Sequence, residues 1–432
     1  MVSCIASYYD SEIAQYAEIA ANINRAYAKE IGWEYVSRHT PYDRTLHPSW
    51  QKLFMVMELI RSGRYEFVAL VDADAAFNPL TTYSIHDFLP DSGQLATIGG
   101  DVKSDHLTPL GLNTGVVIFR ACSDTLELLH EWVTYTINIF RIGCRWEQSQ
   151  LQHMLMTQPS LLQKFRYIPF NTLQAFPKTN SQALCNPFAL VFHFAGTDTQ
   201  TRVNGLRDIL RYRDTSRTHT RDLVVARYRE SLAWLTPRIV RMFDRVIVYN
   251  KGDDLLKLPD GVRVIALPNV GVVDHTYLHH VISNYDNLAD LTMYCPGSAG
   301  DPVKYFRYYT CMHHILSTPT VEGMFPIHDT VDAKELARFR LSSYVSARGT
   351  CENLHPATPR PFGAWFAHHI GIPDGIETSA ANLMLKAIFV ATKMNTIRHA
   401  KSLYSALRDT VSVAPYMEAS HYMERSWLPL LR

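Results

Sequence analysis

Apolar residues in the first half of the chain follow two alternating rhythms. Val2 to Ala6 is a short apolar run. From Glu12 to Glu30, Ile13, Tyr16, Ala20, Ile23 and Tyr27 recur at three- and four-residue spacings, the mark of an amphipathic helix. Gly32 punctuates that helix, and Trp33 to Val36 predicts a short strand. Leu53, Val56, Met57 and Ile60 share one face of a second helix over 49–61, closed by Gly63. Phe67 to Val71 is a continuous apolar run of the buried-strand type. Further on, the spacing predicts strands over 115–119 and 189–194 and helices over 125–140 and 148–156. Strands alternating with helices of this length predict a mostly parallel, helix-covered sheet, an α/β fold.

Residues 211–220, RYRDTSRTHT, are polar and without periodicity, and predict a linker between a first domain over 1–210 and a second over 221–432. The strand–helix rhythm then restarts. Strands are predicted over 223–226, 246–249, 262–267 and 291–294, with helices over 231–243 and 275–284. A mainly helical tail is expected over 378–407. The second domain is therefore also read as α/β, with no residue-level repeat of the first.

Composition narrows the partners. With 42 Lys+Arg against 41 Asp+Glu the net charge is +1, which gives no polyanion-binding signature and argues against nucleic acid. The 7 cysteines are dispersed without a CxxC pair, the usage of a reducing compartment rather than a disulfide framework or zinc ribbon. The apolar start is too short for a signal segment, and no stretch approaches the ~18 apolar residues of a membrane span. A soluble, cytoplasmic protein is expected.

The strongest chemical signal closes the buried strand, FVALV-Asp72-Ala-Asp74. Residues i and i+2 of an extended chain share a side, so both carboxylates would meet at the strand's C-terminal end, where open α/β sheets bind ligands. Two such carboxylates repel, and a hard divalent cation relieves the repulsion while leaving positions open for phosphate oxygens. The same acids would also serve simply to end a strand and cap the next element. His193 ends another apolar run, followed by Phe194-Ala195-Gly196. It is a candidate third ligand, and an imidazole beside carboxylates suits Mn²⁺ better than Mg²⁺, the second choice. Gly196 would let backbone approach phosphate oxygens.

These pieces stand among others. They are Tyr9-Asp10, Asn22, Tyr27-Ala28, Gly32-Trp33, Tyr35, His47-Pro-Ser-Trp50-Gln-Lys52, Val71-Asp-Ala-Asp74-Ala, Leu112-Asn-Thr-Gly115, Glu147-Gln-Ser149 and His193-Phe-Ala-Gly196. In this order over 1–205, the chain resembles the GT-A glycosyltransferases of the galactosyl/mannosyl/xylosyl family (glycosyltransferase family 34). The resemblance implies a Rossmann-like domain and a retaining transfer from UDP-galactose, UDP-xylose or GDP-mannose to a glycan acceptor. It places Mn²⁺ on Asp72, Asp74 and His193, Asn113 and Thr114 in the sugar pocket, and Glu147 and Gln148 near the reacting carbon. Family members usually carry a lysine shortly after the HFxG-like turn. Here Thr197-Asp-Thr-Gln-Thr-Arg202 follows, and Arg202 is the candidate substitute. The family's N-terminal membrane anchor is also missing, which favours a cytosolic, viral or microbial setting, including a large DNA virus.

Retention requires either a carboxylate nucleophile or same-face attack through an oxocarbenium-like state. Glu147 is the one carboxylate in the expected segment; Gln148 could stabilise positive charge through its amide oxygen. Glu147 also suits a helix start. Lys52 would reach a phosphate or lie solvated, and Asn113-Thr114-Gly115 would also serve as a turn. Trp50 is read as packing. Two other classes stay open: a carbohydrate-binding protein with a decayed transferase site, and a metal-dependent nucleotide phosphohydrolase.

Residues 221–330 resemble a different family, the domain of unknown function numbered 3431. The carrying segments include Val248-Tyr-Asn-Lys-Gly252, Leu267-Pro-Asn-Val-Gly271, Asp274-His-Thr-Tyr-Leu278 and Thr292-Met-Tyr-Cys-Pro-Gly297. The second domain is thus expected to be glycosyltransferase-like, making the chain bifunctional, or an acceptor-binding module. Asn250-Lys251-Gly252 sits where a sheet edge meets a phosphate or sugar, and Asp274 is expected as a helix N-cap. Asp253-Asp254 and His328-Asp329 are weaker acidic candidates.

Overall fold

The computed structural model describes residues 2–101, 107–135, 146–177, 186–212, 218–254, 257–317, 329–346, 349–352, 354–371 and 380–431. The chain forms two compact units, Met1–Arg213 and Asp214–Arg432. Cys144, Cys185, residues 136–140 of the helix expected over 125–140, His328 and residues 213–217 of the expected linker lie outside the described residues.

The first unit runs β1 (Val2–Tyr8), α1 (Ala14–Glu30), β2 (Glu34–Arg38), α2 (Pro48–Arg61), β3 (Tyr65–Val71), β4 (Ala75–Phe77) and β5 (Ala96–Gly100). It continues with β6 (Leu112–Arg120), α3 (Ser123–Thr134), α4 (Trp146–Thr157), β7 (Phe165–Ile168), β8 (Gln174–Ala175), β9 (Val191–His193) and α5 (Thr199–Arg211). The main sheet has the order β2-β1-β3-β6-β5-β7. All pairings are parallel except the two made by β6, which is antiparallel to β3 and β5. A small second sheet has the order β4-β9-β8.

The period of two along β3 sorts its side chains onto two cores. Val68 and Leu70 pack with Leu53, Val56 and Met57 of α2, Leu128 and Trp132 of α3, and Leu151 of α4. Ala69 and Val71 face the other way, with Tyr27 of α1, Phe77 and Leu190. Each fully buried Leu or Val contributes about 1.5–3 kcal/mol, so this two-faced strand is pinned from both sides. Its C-terminal end, where Asp72 begins, is held correspondingly firmly.

The second unit begins with β10 (Arg221–Arg227), α6 (Pro237–Val240), β11 (Arg245–Asn250), β12 (Val262–Ala266), α7 (Val272–Asn284), β13 (Leu291–Pro296) and α8 (Tyr305–Ser317). After it come β14 (Asp329–Asp332), α9 (Ala333–Ala337), β15 (Tyr344–Ser346), β16 (Gly349–Cys351), α10 (Phe362–His369), β17 (Ala380–Leu383) and β18 (Phe389–Thr392). Three helices, α11 (Lys393–Thr396), α12 (Lys401–Thr410) and α13 (Glu418–Leu431), end the chain. The sheet order is β12-β11-β10-β13-β18, parallel except for β18.

Two expectations change here. The helix predicted over 231–243 shrinks to α6, because the residue before Pro237 is driven out of the helical region, and the helix begins at Pro237 with Thr236 as its cap. The tail predicted as helical from residue 378 first forms β17 and β18. Phe389-Val-Ala-Thr392 pairs with β13 as the sheet edge, and helix prevails only from Lys393. Both units are α/β, as expected, and no described helix is long and apolar enough to cross a membrane.

Candidate active site

The antiparallel insertion of β6 assembles the site. Register pairs Val71 with Val116, so the start of β6 lies against the end of β3. The Asp72 amide donates to the Gly115 carbonyl at 2.8 Å. From Asp72 the chain turns, with the Ala75 amide bonded to the Asp72 carbonyl at 3.0 Å. The two acids therefore converge through a turn, whereas an extended strand was expected. Ala75 then pairs with His193 across β4 and β9, and the Phe194 amide donates to the Asp74 carbonyl at 3.0 Å. Backbone pairing thus delivers an imidazole from about 120 residues downstream to the two carboxylates.

His193 Nε2 lies 3.2 Å from Asp74 Oδ1 and 3.9 Å from Asp72 Oδ2. One ligand atom from each of the three residues falls within 4.8 Å of the others. Two carboxylates and an imidazole form a borderline-hard donor set that fits Mn²⁺ or a similar divalent ion.

Behind the imidazole, His193 Nδ1 donates to Gln174 Oε1 at 2.9 Å. Gln174 Nε2 donates to Asn113 Oδ1 at 3.0 Å, which also accepts the Gly115 amide at 2.8 Å. That chain fixes a proton on Nδ1 and turns Nε2 toward the acids, the usual way a metal-binding histidine is oriented. Gly115 makes room for the ring: a Cβ there would lie 2.1 Å from His193 Cε1. Gln174 carried no signal in the sequence, because its partners come from strands it meets only in the fold.

Lys52 of α2 is 6% exposed, and its ammonium bridges Asp72 Oδ1 at 2.7 Å and Glu147 Oε1 at 2.8 Å. It is not solvated; it binds the first acid of the pair to the start of α4. Burial alone would lower the Lys52 pKa, but the Asp72 and Glu147 carboxylates outweigh it and hold it well above its usual range. Burial raises Asp72, opposed by Lys52 and His193. Burial would raise Asp74 too, yet His193 and Arg202 bring it below the usual carboxylate value. His193 is raised because Asp74 and Asp72 outweigh its burial. Three carboxylates, Asp72, Asp74 and Glu147, thus meet Lys52, Arg202 and an imidazole shifted toward its charged form.

Asp72, Asp74 and His193 border a cleft of about 600 Å³, lined also by Asn113, Thr114, Glu147, Gln148, Asp101, Phe176 and Gly196. Gly196 adopts φ +64°, a left-handed turn that only glycine takes without strain. Thr114 binds both candidate catalytic residues: its amide donates to Gln148 Oε1 at 3.1 Å and its hydroxyl reaches Glu147 Oε1 at 3.3 Å. The Gln148 amide oxygen thus accepts from both the Thr114 amide and its hydroxyl. Gln148 Nε2 is buried with no hydrogen-bond partner among the described residues, a donor that a ligand hydroxyl would satisfy. Arg202 Nε lies 3.1 Å from Asp74 Oδ2, with its guanidinium over the Tyr16 ring, so it contacts the acid pair. Trp50 is buried in the core, as read.

The second unit's acidic candidates have structural partners. Asp254 pairs with Arg227, Asp253 with Arg229 and Asp329 with Arg307. Asp274 is not the N-cap; Gly271 is, and Asp274 sits within the first turn, accepting the Trp427 indole N–H at 2.8 Å.

The family described as galactosyl transferase GMA12/MNN10 matches residues 104–204. No curated protein sequence matches the chain. Among solved structures, the chain is similar to a glycosyltransferase involved in glycosylation of the major capsid of PBCV-1, with 17% identity, a TM-score of 0.39, and coverage of 47% of this chain and 98% of that one. It is similar to the glycosyltransferase GlyE of Streptococcus pneumoniae TIGR4, with 12% identity, a TM-score of 0.33, and coverage of 67% and 85%. A third is the galactosyltransferase LgtC in complex with donor and acceptor sugar analogs, with 11% identity, a TM-score of 0.30, and coverage of 47% and 94%. The matched family segment carries Asn113, Glu147, Gln148 and His193, and the chain is a glycosyltransferase.

Proposed function

We propose that the first unit is a metal-dependent glycosyltransferase that moves a sugar from a nucleoside-diphosphate sugar, UDP-linked by preference, to a glycan acceptor with retention of configuration. The observation carrying this reading is that Asp72, Asp74 and His193 converge within 4.8 Å at a cleft that Glu147 and Gln148 also line. The triad would hold Mn²⁺, which neutralises the departing diphosphate. Arg202 adds positive charge beside Asp74. Gln148 Nε2 donates to a hydroxyl of the sugar, and Asn113 and Thr114 shape its seat. The Glu147 carboxylate is held in place by Lys52 and Thr114, where it offsets positive charge on the anomeric carbon. Residues 221–432 form a second functional domain in this reading.

The test is turnover of UDP-galactose, UDP-xylose and GDP-mannose, with and without Mn²⁺, by wild type and Asp74→Ala. Turnover that needs Mn²⁺ and falls at least ~100-fold in the variant supports the reading. Binding without turnover would make the chain a carbohydrate-binding protein. Equal hydrolysis of nucleotides lacking a sugar would make it a phosphohydrolase.

A further inference from the structure

The second-half motifs, which the chemistry above does not use, converge in space. From β10 the chain steps outward to β11 and β12, then crosses through α7 to β13 on the other side of β10. The strand order therefore reverses at β10, and ligands of open α/β sheets bind beyond the C-terminal ends near such a reversal. At that edge lies a cavity of about 70 Å³. It is lined by Arg227 at the end of β10, Glu230 after it, Lys251 after β11, Asn269 after β12, Val272 at the start of α7, and Tyr416. Residues from Asn250-Lys251-Gly252 and Leu267 to Gly271, far apart in sequence, thus wall one space. Water occupies about 30 Å³ per molecule in the liquid, so the space holds one small tetrahedral group.

The charges of the lining decide what that group is. Asp254 neutralises Arg227 through a two-pronged contact. Glu230 Oε2 accepts from the Tyr228 and Arg229 amides at 2.7 and 3.1 Å, which hold the carboxylate against its own loop and leave its negative charge on that wall. Lys251 has no acid in direct contact of this kind. It is 9% exposed, and its ammonium donates to the Val270 carbonyl at 2.6 Å and to the Val272 carbonyl. Those partners are neutral, and among the described residues Lys251 forms no ion pair. Burial pushes its pKa down to about 7, only partly opposed by Asp274. An ammonium buried without a counter-ion is costly, and an anion in the cavity would offset that cost. The N-terminal end of α7 lies at the same wall and contributes positive potential of the same sense.

We propose that the second unit carries its own phosphate-binding site, in which Lys251 supplies the counter-charge to one phosphate group of a nucleotide or a sugar phosphate. This stands independently of the activity proposed for the first unit.

The experiment uses the full chain carrying Asp72→Ala and Asp74→Ala, in EDTA, so that the first unit's acid pair takes no part. Inorganic phosphate, UDP and galactose 1-phosphate are titrated calorimetrically, with and without Lys251→Met. Lys251 acylation is followed in parallel by mass spectrometry. The proposal expects saturable binding of at least one probe, weakened at least ~10-fold by Lys251→Met, and protection of Lys251 by that probe. Tighter binding of UDP would assign a nucleotide, and of galactose 1-phosphate a sugar phosphate. No binding by any probe, or binding that neither depends on Lys251 nor protects it, would overturn the proposal. Should Lys251→Met fail to fold, protection of the unmutated lysine decides alone.

Discussion

Gln174 accepts the Nδ1 proton of His193 at 2.9 Å, and this one bond determines which face of the imidazole is available to the acids. Gln174→Leu removes the acceptor, so the ring is free to turn and to exchange tautomers. Mn²⁺ affinity, followed by electron paramagnetic resonance, is expected to fall by about 10–100-fold. Gln174→Glu, which keeps an acceptor oxygen, should recover most of it. Unchanged affinity in the leucine variant would show that the bond does not orient the ligand.

Among the described residues, Lys52 is the only cation paired with Glu147 and the closest one to Asp72. Lys52→Met leaves the buried Glu147 carboxylate and the partly buried Asp72 carboxylate together with no ammonium between them. Breaking a buried pair in this way costs roughly 3–5 kcal/mol. A urea denaturation midpoint within error of wild type would contradict the bridging role.

Gly115→Ala places a methyl group 2.1 Å from His193 Cε1, and the ring must move. Overpacking of this kind costs about 1–3 kcal/mol, and the displaced imidazole should lose metal affinity more than the fold loses stability. Comparing the melting temperature with the Mn²⁺ titration separates the two effects.

Asp274 links folding of the second unit to pH. Burial, with Glu424 adding, raises its pKa from 3.8 to about 8, against the Trp427 hydrogen bond and Lys251. Between those values the unfolded chain has released the proton while the folded chain retains it, so stability falls as pH rises from about 4 to 8. Lys251, lowered from 10.5 to about 7, acts in the opposite sense, adding stability as pH rises above 7. Asp274→Asn keeps an acceptor for the Trp427 indole and removes the first effect. Its unfolding free energy should be flatter than wild type between pH 4 and 8, by an amount on the order of a few kcal/mol. Parallel pH profiles for the two proteins would refute this.

Much of the site could be read directly from the chain because it lies where local pattern changes abruptly. Asp72 and Asp74 interrupt an apolar run, and His193 ends another. The partners that orient them could not be read this way. Gln174 sits on a two-residue strand, and its role follows from pairing beside β9 and from proximity to Asn113 of β6. Lys52 lies on an amphipathic helix where a lysine usually means solvent, and only the packing of α2 against β3 and α4 buries it. The same limit applies to β18: Phe389-Val-Ala-Thr392 becomes a strand by meeting β13, almost 100 residues earlier. The short α6, by contrast, was foreseeable from Pro237.

The most direct test is anomalous diffraction at the manganese edge from crystals grown with Mn²⁺ and UDP. The account predicts one strong peak in contact with Asp72, Asp74 and His193, lost in Asp74→Ala. A fully loaded crystal with no peak there, or with the ion on other acids of the cleft such as Asp101, would contradict it.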